Sequence, residues 1–299
     1  MTDTGGRAHD CVIIGAGPGG LQAGIYLGRY NRDVVLLDRS GGRTWHARHV
    51  ENFLGHRAVS GREVIETGLE QVRSFGVKVL RASVRAVRKS GELFEVEADG
   101  ALHKGRFVIA SSGVRDNLPS LENVHRFLGT SFFTCVDCDG YRMTGKRSVV
   151  IGDSIDAVRL ALAIREMYTR DLTLVLASYE PPPDYAEELE ARGIALVMGR
   201  PRALLGGGAL EAVELAGGRR LPCETVMSSF GYSLNDDFLT GLGLEKDSRG
   251  KYIVNHYFES SVGGLYIVGP LNTGNDQIVI AAGQGATAAI DIKKRLLAI

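Results

Sequence analysis

The sequence predicts an α/β fold built from two Rossmann-like nucleotide-binding domains, and three observations predict it. A short apolar run, Asp10 to Ile14, feeds directly into Gly15-Ala16-Gly17-Pro18-Gly19-Gly20. A second run, Ser148 to Ile151, feeds into Gly152-Asp153-Ser154-Ile155-Asp156-Ala157. The length, 299 residues, suits about two domains, and 39 glycines are a bias expected of nucleotide-binding turns.

The first opening has the full context of a dinucleotide site. The apolar run reads as a buried parallel strand. Leu21 to Tyr30 has helical spacing, with Leu21, Ile25 and Leu27 available for an inner face, and Val34 to Leu37 reads as a second strand ending in Asp38. The first glycine makes the tight turn, the second lets backbone approach a pyrophosphate, and the last allows close helix-to-strand packing. The helix N-terminus then faces the phosphates. Asp38 lies 18 residues past Gly20, near the distance at which an acid holds an adenosine ribose. A glycine-rich structural turn is the plain alternative, and the strand–turn–helix–strand–acid order disfavours it.

Next comes an irregular polar stretch, Gly41 to Gly55. Ser60 caps a helix running to about Phe75 and ending at Gly76. Val77 to Leu80, Ser83 to Lys89 and Leu93 to Ala98 read as short strands, with Ser90-Gly91-Glu92 as the turn between the last two. Arg106 to Ala110 is a further buried strand, closing in Ser111-Ser112-Gly113, and Asn117-Leu118-Pro119 reads as a linker.

Beyond the second glycine turn, a helix to about Tyr168 and a strand at Leu172 to Leu176 complete another βαβ opening. Here the fingerprint is damaged. Ser154 replaces the middle glycine and would crowd a pyrophosphate. Strand two ends in Leu176-Ala177-Ser178, with no acid for an NAD ribose and no arginine for an NADP 2′-phosphate. The next cation downstream is Arg192, and Pro181-Pro182-Pro183 stiffens the intervening loop. Asp184 to Arg192 reads as a helix, weak strands follow, and the triple glycine at 206–208 reads as a hairpin turn. From Asn235 the pattern changes back. Tyr252 to Val254 and Leu265 to Val268 read as strands, Gly269 to Gly274 as a loop, and Gln277 to Leu297 as a long helix whose small residues permit close packing against a cofactor or a neighbouring element.

Between the two openings lies Cys135-Val136-Asp137-Cys138-Asp139-Gly140. Two cysteines at this spacing can close a small disulfide ring. If the pair opens a helix, the free amides there lower a thiol pKa, and the thiolate is the reactive form. Asp139 is a candidate proton donor or acceptor. A zinc half-site would need two more ligands, but Cys11 and Cys223 stand alone. A purely structural bond is unusual in a soluble chain of this kind. The pattern favours a redox dithiol.

Composition excludes several partners. Lysine plus arginine equals aspartate plus glutamate at 35 each, which gives no support for nucleic acid or an anionic membrane surface. The N-terminus, MTDTGGRAHD, lacks an apolar signal region, and no stretch is long enough to span a bilayer. A soluble cytoplasmic protein with no nucleic-acid and no membrane partner is expected.

As a set, GAGPGG, Glu51-Asn52-Phe53-Leu54-Gly55, ASSG at 110–113, CVDCDG and the C-terminal VGPLNTGNDQIVIAAGQGATAAIDI resemble the low-molecular-weight thioredoxin reductases over essentially the whole chain. The resemblance implies the FAD/NAD(P)-binding fold, with residues 1–117 and 235–299 forming an FAD domain. Residues 118–234 would be an inserted pyridine-nucleotide-type domain that carries the dithiol. It implies a homodimer and places Gly15, Ala16, Gly17, Pro18, Gly19, Asp38, Arg39, Arg43, Thr44, Asn52, Val84, Ser112, Gly113, Gly269, Gln277 and Ile278 at the FAD. Cys138 would face the flavin, Cys135 would attack the partner disulfide, and Asp139 would manage protons.

Two departures from the family pattern matter. NADPH-using members keep an intact second fingerprint followed by arginines, and this chain has neither. The residue after Gly269 is usually an aspartate bonding the flavin ribityl chain; here it is Pro270, and Asn272 is the candidate replacement. The sequence therefore points to an FAD-dependent disulfide or dithiol oxidoreductase that does not use NADPH. Donors of the ferredoxin or flavodoxin type, oxygen as acceptor for a dithiol, a second FAD in the degenerate site, a conventional NADPH-thioredoxin reductase and a non-enzymatic flavin redox sensor are the alternatives. Other residues invite two readings. Trp45 is either a flavin-stacking ring or a half-buried aromatic. His46, His49 and His56 fall within eleven residues but read as solvated rather than metal-binding. Lys293-Lys294-Arg295 complements the dipole of its helix end.

Overall fold

The computed structural model describes residues 7–298. The N-terminal reading therefore falls largely outside the described residues, at 1–6. The chain divides into two compact units, Met1–Arg115 with Ser233–Ile299, and Asp116–Tyr232.

In the first unit, β1 (His9–Ile14), α1 (Pro18–Arg29), β2 (Val34–Asp38), α2 (Gly61–Ser74) and β3 (Lys78–Arg81) form the nucleotide-type start. A meander follows, β4 (Val84–Ser90), β5 (Leu93–Ala98) and β6 (Ala101–Ala110). The sheet order is β3-β2-β1-β6-β5-β4. Strand β1 is parallel to β2 and β6, whereas β5 is antiparallel to β4 and β6. Successive side chains of a strand point to opposite faces, so β1 serves two cores. Cys11 and Ile13 pack with Leu21 and Leu27 of α1 and Val72 of α2. Val12 and Ile14 pack with Val35, Val96 and Val108. Ser60 Oγ accepts from Glu63 N at 3.1 Å and caps α2, and Gly76 ends that helix region at φ +81°.

The structure corrects two expected strands. Strand β6 begins at Ala101 rather than Arg106, because its first half pairs with β5 from Ala101↔Ala98 to Gly105↔Phe94. The tight turn between them is Asp99-Gly100, both at positive φ (+46° and +80°), the conformation an Asp-Gly hairpin prefers. Tyr252 to Val254 forms only isolated bridges, such as Tyr252↔Asn272 and Val254↔Ser260. Its anchor is the side chain of Tyr252, which is buried and donates to Asp236 at 2.7 Å.

Strand β7 (Val114–Asp116) leaves the first unit. The second unit then contains α3 (Val124–Phe127), β8 (Phe132–Phe133), α4 (Val136–Asp139), β9 (Ser148–Gly152), α5 (Ile155–Met167), β10 (Leu172–Leu176), α6 (Pro183–Ala191), β11 (Ala195–Met198), β12 (Pro201–Leu205), β13 (Ala212–Leu215), β14 (Arg220–Pro222) and β15 (Thr225–Ser229). Five of these strands form the parallel sheet β11-β10-β9-β15-β8. One face buries Val150, Leu174 and Met227 against Ala157, Ala161 and Ile164 of α5 and Leu189 of α6. The other buries Val149, Ile151 and Val175 with Leu204, Val213 and Leu215 of the antiparallel sheet β12-β13-β14. Residues 206–208 lead from β12 into its antiparallel neighbour β13, as a hairpin turn does.

After β16 (Tyr232–Leu234), the first unit is completed by β17 (Leu265–Ile267) and α7 (Ile278–Leu297). Strand β17 joins the second half of β6 in parallel. Small residues seat α7 against α1: a Cβ on Gly285 would lie 2.0 Å from the carbonyl oxygen of Gly19. Among the described residues no helix is long and apolar enough to cross a membrane.

Candidate active site

The carboxyl ends of β1, β2, β6 and β17 bring most of the sequence-predicted residues of the first unit to one edge of its sheet. In a doubly wound sheet this is the edge that binds ligands. Gly15 follows β1 at φ +101°, and a Cβ there would lie 2.4 Å from the carbonyl oxygen of Ser111 after β6. Gly20 abuts the carbonyl oxygen of Gly15, with 2.0 Å for a Cβ, and Gly19 abuts Val268 and Ala281. Protein packing therefore explains those three glycines. Gly17 is different: a Cβ there would meet nothing closer than 3.6 Å. Gly17 is the N-cap of α1 and Pro18 its first residue, with no side-chain cap and no acid in the first turn. The positive end of a 12-residue helix with no side-chain acceptor on it suits an anion.

Asp38 ties this turn to the end of β2. Its Oδ1 accepts from Ala16 N at 2.9 Å and its Oδ2 from Ser40 N at 2.7 Å. A carboxylate has about four acceptor positions, so it retains capacity for a hydroxyl. Arg39 donates to Asn235 Oδ1 at 2.9 Å. Asn235 in turn donates to the Ser112 carbonyl at 3.1 Å, accepts from Ser112 Oγ at 2.6 Å, and bonds Gly113 O through its backbone N–H. Asn52 Nδ2 donates to Gln277 Oε1 at 2.9 Å, and Gln277 is the N-cap of α7, just before Ile278. Arg43 and Thr44 lie on a 3₁₀ turn, where the Thr44 carbonyl packs on Gly61. Val84 opens β4 opposite Ala98 and joins the second core. Trp45 packs half-buried against the first core with the Arg62 guanidinium 5.2 Å from its ring centroid. That contact favours the half-buried aromatic reading.

Asn272 is corrected. It is buried, donates to Ile267 O at 3.0 Å and to Gln284 Oε1 at 2.8 Å, and accepts from Gly274 N at 2.8 Å. Gln284 Oε1 also accepts from Gly269 N at 2.6 Å. The pair staples the 269–274 loop to α7, so Asn272 is committed to the loop rather than to a ligand. Asn235 and Gln284 are the contributors that sequence reasoning missed; Ser111 carried a signal only as a member of the ASSG motif.

In the second unit the structure closes a disulfide between Cys135 and Cys138, with Cα atoms 5.3 Å apart. Cys135 is the N-cap of the one-turn helix α4, half-buried, and Cys138 is exposed. Asp139 N donates to Cys135 O at 3.0 Å, and its carboxylate lies 3.4 Å from Arg142 Nε. Gly140 is buried beneath this turn, where a Cβ would come within 2.6 Å of the Tyr168 ring. Cys11 and Cys223 sit apart in buried positions. Burial pushes the Cys11 thiol far up and that of Cys223 up to about 12, so neither is a reactive thiolate. Among the described residues no cluster of His, Cys, Asp and Glu could hold a metal, and His56 stacks on Phe53.

The second glycine turn carries acids where the first is uncharged, and Gly152 lacks the positive φ of Gly15. Gly152 is required by packing, with 2.4 Å from its would-be Cβ to Ala157 Cβ. Ser154 is the N-cap of α5 and Asp156 lies in its first turn. Asp153 Oδ1 accepts from Ser178 N at 2.7 Å and Tyr179 N at 2.6 Å, and its Oδ2 from Ser178 Oγ at 2.7 Å. These bonds, the Ser178 hydroxyl first, hold its pKa below the usual aspartate value. Arg192 is occupied elsewhere, 3.2 Å from Glu166 and 2.7 Å from Glu188.

Residues 9–285 match the pyridine nucleotide-disulphide oxidoreductase family. The chain belongs to this family. Among solved structures, that of HlmI is 31% identical with a TM-score of 0.92 and covers 99% of this chain and 94% of its own. A putative thioredoxin reductase, TrxB from Bacillus anthracis, is 27% identical with a TM-score of 0.88, covering 96% and 98%. The thioredoxin reductase of Borreliella burgdorferi is 25% identical over 305 residues, 95% of this chain and 91% of that protein. Membership implies FAD, and the residues fit it. The uncapped start of α1 suits a pyrophosphate, Gly17 leaves space for its approach, and Asp38 retains acceptors for a ribose.

Proposed function

We propose that this family member is an FAD-dependent disulfide oxidoreductase, resembling thioredoxin reductase, that exchanges electrons between FAD, the Cys135–Cys138 pair and a substrate disulfide or dithiol without NADPH. In this reading residues 1–117 with 235–299 are the FAD domain, and 118–234 are a nucleotide-type domain kept for its dithiol. The observation that carries it is a contrast between two similar turns. Neither helix start has a side-chain cap, but the turn before α1 carries no acid of its own and meets the Asp38 carboxylate only through Ala16 N, whereas Asp153 lies in the turn before α5 and Asp156 in the first turn of that helix. A pyrophosphate gains from the first and is repelled by the second. The same contrast weighs against a second FAD at α5.

When bound, FAD supplies the two-electron couple that opens or closes the disulfide. The protein does the rest. With the pair reduced, the Cys135 thiolate attacks one sulfur of a substrate disulfide, forming a mixed disulfide and releasing one substrate thiolate. Cys138 then attacks Cys135 Sγ, closing the protein disulfide and releasing the second thiolate. Asp139 holds or delivers the proton at the cysteine sulfur. For a dithiol substrate the same bonds form and break in reverse. The flavin-side sites, the roles of the two cysteines, a homodimer and a cytoplasmic setting belong to the same proposal, supported by the motif order and the composition. Ferredoxin or flavodoxin as donor and oxygen as acceptor are the partner classes it admits.

The likeness to thioredoxin reductases of Bacillus anthracis and Borreliella burgdorferi favours a second reading, a conventional thioredoxin reductase, and NADPH as its donor is the alternative that mixing the flavin-loaded protein with NADPH must exclude. The test of the proposal is anaerobic reduction of the bound flavin by excess dithiothreitol. The wild type should bleach, and Cys135→Ser and Cys138→Ser should lose the fast phase. Bleaching of both variants at the wild-type rate would remove the dithiol from the electron path.

A further inference from the structure

We propose that Asp153 is a built-in anion that fills a phosphate-type site at the end of β10, and that removing its charge uncovers a site for a phosphate monoester. This rests on the reading that the chain does not use NADPH, and adds the residue that enforces it.

The two βαβ openings make the same loop-to-strand tie with donor and acceptor exchanged. In the first unit the acid stands at the strand end: Asp38 reaches back to Ala16 N of the glycine turn. In the second, the acid stands in the turn, and Asp153 reaches forward to the strand end. The strand end of the second unit is therefore a donor site. Two backbone N–H groups, Ser178 and Tyr179, and the Ser178 hydroxyl converge on one carboxylate at 2.6–2.7 Å. Donors converging in this way recognise an oxyanion. The place matters as much as the geometry. The residues just past the second strand of such a unit meet the adenosine ribose and, in NADP sites, its 2′-phosphate. Ser178 is exposed, so a ligand can reach it. Two of the three donors are backbone, so substitution elsewhere leaves them in place. Asp153 thus satisfies the donors in cis and places negative charge in the turn that a dinucleotide pyrophosphate would approach. On α5, Asp156 in the first turn pairs with Arg159 at 3.6 Å, and Arg159 also donates to the Tyr185 hydroxyl at 3.1 Å.

The test uses the flavin-loaded, full-length protein and adenosine 2′,5′-bisphosphate, with adenosine as the phosphate-free control, measured by calorimetry on wild type, Asp153→Gly and Asp153→Asn. Wild type should show no binding of either probe at millimolar concentration. Asp153→Gly should bind the bisphosphate about tenfold or more tighter than wild type, with inorganic phosphate competing and adenosine not bound. Asp153→Asn, which keeps the shape and loses the charge, should also bind tighter than wild type, and it carries the test if the glycine variant does not fold. Folded variants with retained flavin that bind no better than wild type would overturn the proposal. Tight binding by the wild type would instead overturn the NADPH-free reading on which it rests.

Discussion

Gly17 and Gly20 lie three positions apart and the structure gives them different work. At Gly20 a Cβ would meet backbone at 2.0 Å, whereas at Gly17 it would meet only ordinary contacts. Gly20→Ala should therefore cost about 1–3 kcal/mol or more in denaturant unfolding. Gly17→Ala should keep the fold and lower the flavin content, read from the ratio of flavin to protein absorbance. The reverse pattern would contradict the assignment. Asn272→Ala leaves buried carbonyls of Ile267 and Gln284 short of a donor. It should cost about 1–3 kcal/mol, measured the same way. Asp153 adds a pH dependence. Its folded pKa is depressed, so its contribution is present above the unfolded aspartate value and is lost as pH falls through the folded one. Asp153→Asn should lower Tm near pH 7 by no more than about 2–4 °C, because the group is near the surface. That gap should close as pH falls below about 4. At this scale the sequence made the fingerprint glycines, Asp38 and the cysteine pair legible, since each has a fixed spacing with a physical meaning. Asn235, Asn272 and Gln284 were not legible in those roles: the partners of Asn235, Ser112 and Arg39, are distant in the chain, and an amide inside a helix or loop, as in the Asn272–Gln284 pair, carries no periodic signal.

The elements were read where one rule dominated. Buried parallel strands appear as unbroken apolar runs, and β1, β2, β9 and β10 were visible for that reason. The Asp99-Gly100 turn was missed although it is a strong hairpin pair, and with it the first half of β6. Tyr252 to Val254 shows the opposite error, since β-favouring residues became an irregular segment held by isolated bridges and the Tyr252 hydroxyl. Close approach of α7 to α1 depends on Gly285, where a Cβ would meet the Gly19 carbonyl oxygen at 2.0 Å. Gly285→Ala should lower Tm by several degrees and release flavin on mild heating, because the same helix begins at Gln277 and Ile278. The dithiol turn is seated through Gly140 on Tyr168. Gly140→Ala should slow disulfide exchange with a small dithiol while leaving flavin content unchanged. Unchanged exchange would show that the seat does not position the sulfurs.

For the molecule as a whole, the two units share one architecture and differ in what they offer an anion. In one the acid, Asp38, stands at the strand end and the turn itself is uncharged; in the other the acid, Asp153, stands in the turn and occupies the donors at the strand end. The sequence showed that the second fingerprint was damaged. It did not show that Asp153 consumes the donors at the strand end, because that contact joins positions 25 residues apart through a turn with no motif of its own. A flavin-to-protein ratio near one per chain is expected if only the first unit holds FAD. The measurement that tests the central claim most directly is anaerobic mixing of the flavin-loaded protein with excess NADPH, and separately NADH, while following the flavin band near ~450 nm over seconds, longer than the μs–ms closure steps of such enzymes. The account predicts no bleaching by either nucleotide and full bleaching by dithiothreitol through the cysteine pair. Rapid bleaching by NADPH would contradict it and make the protein a conventional pyridine-nucleotide-dependent reductase.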